Sequence, residues 1–193
     1  MDGAQSNNTF KPKQALAPTP QLYDELVGDS MSNLAKASLA QILPIAAGST
    51  VHDIGCGTGA STAAIVAAIP DDKAEVSIKG TDINDQALEI YKKCAVDNQW
   101  PAEALKMDAE RLGFEDDTFS LVLGNAFVFI LPNDGIDAVK EMYRTIKPGG
   151  TSKNYQPLPF LSLKLLKPVS ISYALLKPHI MSCLVNEFLG SFH

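Results

Sequence analysis

The sequence predicts an α/β chain built on a mostly parallel, doubly wound sheet, and two observations carry that reading. Short apolar runs at residues 50–54, 75–81, 104–107 and 119–124 alternate with longer segments of helical period. Each run is about one strand long, and alternation of this kind calls for βαβ crossovers and a sheet covered on both sides. The second observation is the turn after the first run. Asp53-Ile54-Gly55-Cys56-Gly57-Thr58-Gly59 carries three glycines at alternate positions and leads into an alanine-rich helical segment. Such a turn can bring bare backbone against a ligand. The helix behind it points unpaired N–H groups at the same place, which suits a carboxylate or a phosphate. Strand, glycine loop and helix in this order hold nucleotide-like groups at the carboxyl edge of a parallel sheet.

Composition narrows the class. The 193 residues are 46% hydrophobic and 20% charged, enough apolar material for one core. No run of 18 apolar residues occurs, so no membrane span is expected. Residues 1–21 lack the basic start and apolar centre of a secretory signal. Cys56, Cys94 and Cys183 are scattered without a CxxC pair, so neither a disulfide framework nor a metal site is expected, and the setting is read as reducing and cytoplasmic. A net charge of −6 argues against nucleic acid as the main partner. That charge is uneven: residues 1–150 hold 21 acids against 12 Lys and Arg, whereas 151–193 hold one acid, Glu187, against four lysines.

In chain order, residues 1–18 read as a mobile arm. Thr19-Pro20 opens a short helix with Leu22, Tyr23, Leu26 and Val27 on one face, ending at Gly28. Ser32 is expected to cap a second helix, with Leu34, Ala35, Leu39 and Ile42 at helical spacing before Pro44. These helices either fold over the carboxyl edge of the sheet as a lid, with Tyr23 or Met31 touching a ligand, or simply cover the sheet. The first strand (50–54) leads through a crossover helix (60–69) to the second (75–81), which delivers Asp82 at its end. Asn84 caps the next helix, with Leu88, Tyr91 and Ala95 inward, and a third strand (104–107) ends at Asp108. The fourth (119–124) is apolar enough to be buried on both faces. A helix from Asn133 or Asp134 with Ile136, Val139, Tyr143 and Ile146 inward stops at Lys147-Pro148-Gly149-Gly150.

After Gly150 the alternation ceases. Residues 151–193 are read as an atypical tail of unassigned fold, in which Leu-Leu-Lys-Pro occurs twice and prolines 157, 159, 168 and 178 break any long element. The fourth strand is then left with an open edge, across which 161–166 can pair as a makeshift strand, and an exposed edge invites self-association.

Taken alone, the glycines also satisfy a dinucleotide-binding pattern, with Asp82 near the place of its ribose acid. The fuller set is more specific. Asp53-Ile54-Gly55-Cys56-Gly57-Thr58-Gly59 resembles the first motif of class I S-adenosylmethionine-dependent methyltransferases, and Thr81-Asp82-Ile83 resembles the second. Met107-Asp108-Ala109 and the stretch from Leu112 to Val122 resemble their third strand and the approach to the fourth, and Lys147-Pro148-Gly149-Gly150 resembles the turn before the fifth. The match runs over about 20–150, a partial domain taken as 19–150. It looks closest to the small-molecule branch of ubiquinone/menaquinone-pathway and fungal natural-product enzymes.

The resemblance implies a Rossmann-like fold, S-adenosyl-L-methionine as cofactor and a small-molecule acceptor. It implies that backbone at Gly55, Cys56, Gly57 and Gly59 approaches the amino-acid end, with Asp53 helping to hold the ammonium. Asp82 would take the ribose hydroxyls, Ile83 would cover the adenine, and Asp108 with Ala109 would hold its amino edge. Asn125 and Ala126 would line the methyl and the acceptor entrance. No general base is assigned. Cys56 reads as a packed residue rather than a nucleophile, His52 as a packing position facing away from Asp53, and Glu115-Asp116-Asp117 as a solvated turn. Ser120 stands where the family usually carries an acid. The resemblance also places three more strands after Gly150, so the chain is expected to have these truncated or replaced. A non-catalytic cofactor-binding product, or a subunit that needs a partner, is the alternative.

Overall fold

The computed structural model describes Thr19, Glu25 and residues 28–69, 75–155, 160–165 and 169–174. The arm at 1–18 and the face of Leu22, Tyr23, Leu26 and Val27 lie outside the described residues. The elements in order are α1 (Ser30–Leu39), β1 (Thr50–Ile54), α2 (Ala60–Ala68), β2 (Ser77–Asp82), α3 (Asp85–Asp97), β3 (Ala102–Lys106), β4 (Phe119–Asn125), α4 (Ile136–Thr145), β5 (Ile146–Tyr155), β6 (Phe160–Leu165) and β7 (Val169–Ala174). Two 3-10 turns, Val128–Ile130 and Pro132–Gly135, join β4 to α4.

The seven strands among the described residues form one sheet in the order β3-β2-β1-β4-β5-β7-β6. Every neighbouring pair is parallel except β6 and β7. The order reverses at β1, which pairs with β2 on one side (Val51 opposite Ile78) and β4 on the other (Val51 opposite Leu121). A ligand crevice forms at such a reversal, outside the carboxyl ends of the strands.

The alternation along β1 sorts the two cores. Ile54 joins Phe119, Val122, Val139, Met142 and Ile146 on the α4 side. Val51 joins Leu39, Ile65, Ile78, Leu121 and Leu123 on the side of α1 and α2. β4 is thus buried on both faces, as its apolar run requires. His52 also occupies the α4 side, stacked on Phe119 with ring centroids 4.8 Å apart and edge-on to Phe114 at 5.2 Å. Burial brings its pKa down to about 3, so it packs as a neutral ring. Ser120 has a structural use where an acid was expected. Its hydroxyl donates to the Thr50 carbonyl at 3.0 Å and accepts from the Thr50 N–H at 3.0 Å, which clips the start of β1 to β4.

Two expectations are corrected. α1 begins at Ser30, two residues before the expected Ser32 cap, and Asp29 precedes it without a side-chain bond to the helix. Glu115-Asp116-Asp117 is an exposed turn as expected, and there the Asp116 carboxylate accepts from the Arg144 guanidinium at 2.8 Å, while Arg144 also reaches the Phe114 and Leu112 carbonyls. Most consequentially, the fifth strand is present. β5 pairs with β4 from Leu121 opposite Thr151 to Asn125 opposite Tyr155. The ladder slips between Phe119 and Leu121, where Lys147-Pro148-Gly149-Gly150 loops out and Gly149 takes a φ of +79°. β4 is therefore an interior strand, and the open β4 edge on which self-association rested does not exist. The segment expected to pair makeshift does form a strand, but β6 runs against β7 at the outer edge rather than across β4.

Candidate functional site

The carboxyl ends of β1, β2, β3 and β4 surround a cavity of about 510 Å³, capped on one side by Met31 of α1. This volume lies in the range of sites for small molecules and cofactors. Nine of the residues singled out from the sequence line it: Gly55, Cys56, Gly57, Asp82, Ile83, Asp108, Ala109, Asn125 and Ala126.

The glycine loop forms the floor. Gly55 has a φ of +68°, and a Cβ there would lie 2.8 Å from the Phe127 ring, so both backbone and neighbour exclude a side chain. Gly57 has a φ of +53° with nothing within 4 Å of a Cβ, which leaves its backbone open to the cavity. Its N–H donates to Asp82 Oδ2 at 2.9 Å, while Asp82 Oδ1 accepts from the Asn84 N–H at 2.9 Å. The acid at the end of β2 thus ties the loop of β1 to the start of α3. Each carboxylate oxygen has a second lone pair for a ligand hydroxyl. Asn84 caps α3 as its position implied, accepting from the Gln86 and Ala87 N–H groups.

Beyond β3, Asp108 lies in an exposed turn where its Oδ1 accepts from the Glu110 N–H at 2.9 Å. Ile83, 65% exposed, stands at the cavity mouth. At the end of β4, Ala126 is buried with a φ of +56°. A non-glycine residue held in the left-handed region beside a cavity is a strained position of the kind that gathers at binding sites. Asn125 donates from Nδ2 to the Met31 carbonyl at 3.0 Å, which latches α1 to the sheet. That bond fixes its amide orientation, and Oδ1 is left buried with no donor.

Two of the expected residues do not line the cavity. Gly59 precedes α2 with its open face against α3: a Cβ would lie 2.8 Å from the Trp100 ring and 3.2 Å from that of Tyr91. Asp53 is fully buried in β1. Its Oδ2 accepts from the Thr62 hydroxyl at 2.7 Å, the Thr62 oxygen lies 2.8 Å from the Tyr91 hydroxyl, and Oδ1 has no partner. Burial raises the Asp53 carboxyl to about 7, against the lowering effect of its bonds to Thr62, with the Asp82 charge adding to the rise. Cys56 is buried as well, and burial followed by the charges of Asp53 and Asp82 drives its thiol pKa up, the opposite of an activated nucleophile. Among the described residues, no group of three or more His, Cys, Asp or Glu is placed to hold a metal, and no helix is long and apolar enough to cross a membrane.

The sequence reading quoted Thr81 and Met107 within its motifs without giving them a role, and it missed the apolar wall of Phe127, Ile130 and Leu131. Phe127 folds back on the end of β4, where a Cβ at Gly124 would come within 2.4 Å of its ring.

A family model described as a methyltransferase domain matches residues 51–150, just over half of the chain. The chain belongs to the methyltransferase domain family. It is a class I S-adenosylmethionine-dependent methyltransferase domain, related at the family level to quinone-pathway enzymes. The ubiquinone/menaquinone biosynthesis C-methyltransferase of Neisseria meningitidis is 38% identical over 96 residues, 45% of this chain and 39% of that protein. The demethylmenaquinone methyltransferase of Lysinibacillus sphaericus is 33% identical over 103 residues, 53% of this chain and 42% of that protein. The methyltransferase domain thus matches about two fifths of the length of these curated relatives. Among solved structures, a candidate S-adenosyl-L-methionine-dependent methyltransferase from Methanococcus maripaludis superposes with a TM-score of 0.57 over 95% of this chain and 75% of that one. At 20% identity, that likeness speaks for the fold.

Proposed function

We propose that this domain binds S-adenosyl-L-methionine in the cavity and transfers its methyl group to a small-molecule acceptor. One observation carries the reading: in a chain of this family, the glycine loop and the acids ending β2 and β3 meet around a single cavity of cofactor size. The donor set suits the cofactor. Open backbone at Gly57 meets the amino-acid end, Asp82 offers acceptors to the ribose hydroxyls, and Ile83 with Ala109 covers the adenine, whose amino group Asp108 receives. The apolar wall of Met31, Ala126, Phe127 and Leu131 is left for the methyl and the acceptor.

Methyl transfer asks little covalent chemistry of the protein. The cofactor supplies an activated methyl group on a sulfonium, and the chain supplies alignment and exclusion of water. S-adenosylhomocysteine is expected to raise the melting temperature while NADH and NADPH leave it unchanged, since only a ligand of the native state stabilises by mass action. A shift with NADH alone overturns the reading in favour of a dinucleotide site. The alternative of a non-catalytic cofactor-binding product is separated by turnover: cofactor binding without transfer to any member of a broad acceptor panel supports it.

A further inference from the structure

Between β3 and β4 the chain runs through residues 107–118 without a helix or strand of its own, and Met107, Asp108 and Ala109 at its start line the cavity. A connection of this kind lacks a regular ladder for its backbone groups, so other partners must fix its shape. Local bonds close the first turn: Asp108 Oδ1 accepts from the Glu110 N–H at 2.9 Å, and the Asp108 carbonyl accepts from the Arg111 N–H at 3.0 Å. The next residues are gripped from α4. Glu141 Oε2 accepts from the Leu112 N–H at 2.7 Å. Arg144 donates to both Glu141 oxygens at 2.7 Å, to the Leu112 carbonyl at 3.2 Å and to the Phe114 carbonyl at 2.8 Å. A planar guanidinium holds a carboxylate and two carbonyls in fixed directions, whereas an ammonium is a compact charge without that fork.

Neither Glu141 nor Arg144 lines the cavity, but what they grip lies beside it. Leu112 is buried in the α4-side core, against which Met107 and Ala109 also pack, and a Cβ at Gly113 would lie 3.8 Å from Met107 Cε. The Phe114 ring meets His52 edge-on, and His52 Nε2 lies 2.8 Å from the Thr81 hydroxyl in the cavity wall. In the methyltransferase reading, on which this inference rests, Asp108 receives the amino group of adenine. A 6-oxo purine carries an acceptor at that place and has its donor one ring position away, at N1. A carboxylate free to shift follows the donor, and one held in place cannot. We propose that Glu141 and Arg144 are positioning residues for the base end of the cavity. By fixing the turn from Asp108 to Phe114 they keep Asp108 in register with a 6-amino group, and the site rejects 6-oxo purines. The pair touches no ligand and acts through the backbone of the connection. Asp116 also accepts from Arg144, but its side chain is 72% exposed, and the bonds to Glu141, Leu112 and Phe114 do not pass through it.

Calorimetric titration of the full chain with S-adenosylhomocysteine and with S-inosylhomocysteine, its 6-oxo counterpart, gives the ratio of the two affinities. The native chain is expected to favour the 6-amino ligand by about 10- to 100-fold, the scale of a hydrogen bond to a charged group. Arg144→Lys keeps the charge but loses the fork, and its ratio is expected to fall about tenfold. Glu141→Gln is a milder change that keeps an acceptor for the Leu112 N–H. Its ratio is expected to fall about threefold, and it carries the test if Arg144→Lys does not fold. Lost fold stability by itself scales both affinities by the same folded fraction and leaves the ratio untouched. Asp116→Ala should keep the native ratio. No preference in the native chain, or a native ratio in both Arg144→Lys and Glu141→Gln, overturns this inference alone. A fall in Asp116→Ala as large as that in Arg144→Lys overturns it too. No binding of either ligand by the native chain defeats the methyltransferase reading with it.

Discussion

Replacing Gly80 by alanine strikes at the packing under the site without replacing any residue that lines it. Gly80 is buried in the middle of β2, and a Cβ there would lie 2.6 Å from both Cζ and the hydroxyl oxygen of Tyr91. Ordinary contact begins at 3.4 Å, so the ring must retreat by about 0.8 Å. It has nowhere to go: Tyr91 is fully buried, Trp100 meets it edge-on at 5.9 Å, and Gly59 already accepts its flank. Overpacking of this kind costs about 1–3 kcal/mol, and displacing the hydroxyl from Thr62 adds about 1 kcal/mol. The expected loss is thus roughly 2–4 kcal/mol in urea denaturation of Gly80→Ala. Combining it with Tyr91→Val removes the obstructing ring, so the double variant should be less destabilised than the sum of the singles by at least about 1 kcal/mol. A Gly80→Ala chain within about 0.5 kcal/mol of native, or strictly additive singles, refutes the close packing of Tyr91 on β2.

Asp53→Asn makes stability depend differently on pH. The native carboxyl stands at about 7 against an ordinary 3.8, so below pH 4 both folded and unfolded chains hold the proton and the group contributes nothing. Between about 4 and 7 the unfolded chain loses its proton first, so the native fold is progressively penalised, and the penalty levels off above 7. The variant should therefore gain on the native chain by on the order of 2–4 kcal/mol between pH 4 and pH 7.5, and parallel denaturation profiles would refute this. Asp82→Ala is expected to weaken S-adenosylhomocysteine binding by roughly 1.5–3 kcal/mol, through lost ligand bonds and a loosened Gly57 N–H. Asp116→Ala, whose carboxylate meets only Arg144 among the hydrogen bonds described, should leave calorimetric affinity unchanged, and equal losses in the two would remove Asp82 from the binding site. Asn125→Ala cuts the bond to the Met31 carbonyl, worth about 1 kcal/mol. Amide exchange along α1 should quicken, and unaltered exchange there would mean that the latch holds nothing.

The legible parts of the fold were those whose local chemistry and burial agree. β1 matches its expected bounds because Val51 and Ile54 feed the cores on opposite faces and the glycine turn ends the strand abruptly. Asn84 was readable as a cap because its side chain does locally what its type favours. β5 was not, since its ladder resumes after a proline–glycine loop through Thr151-Ser152-Lys153-Asn154-Tyr155, a polar run without apolar alternation. Its strand character comes from pairing on both sides, with β4 and β7, rather than from its own residues. β6 and β7 contain none of the prolines that argued against strands, which fall between and beyond them. In the site, acids at strand ends were visible as spacing. Asp53 and Gly59 satisfied the same pattern, but one is sealed in β1 and the other serves the packing of Tyr91 and Trp100. Only the depth of each residue in three dimensions separates a lining residue from a supporting one.

The reversal of strand order at β1 also bears on how the chain reaches this state. β1 is made early, but the Thr50–Ser120 clip and the pairing of Val51 with Leu121 close a span of 70 residues. Parallel pairings over such separations form slowly, because the entropy of closing the loop precedes any gain from contact. Until β4 docks, the Leu121 and Leu123 side of one core is missing, and so is the cavity wall of Asn125, Ala126, Phe127, Ile130 and Leu131. On the ribosome, the glycine loop and its acids emerge well before the strand that encloses them. The cavity is therefore completed late in the life of the nascent chain, and a pause in synthesis before residue 119 would leave the β1 edge open to a wrong partner.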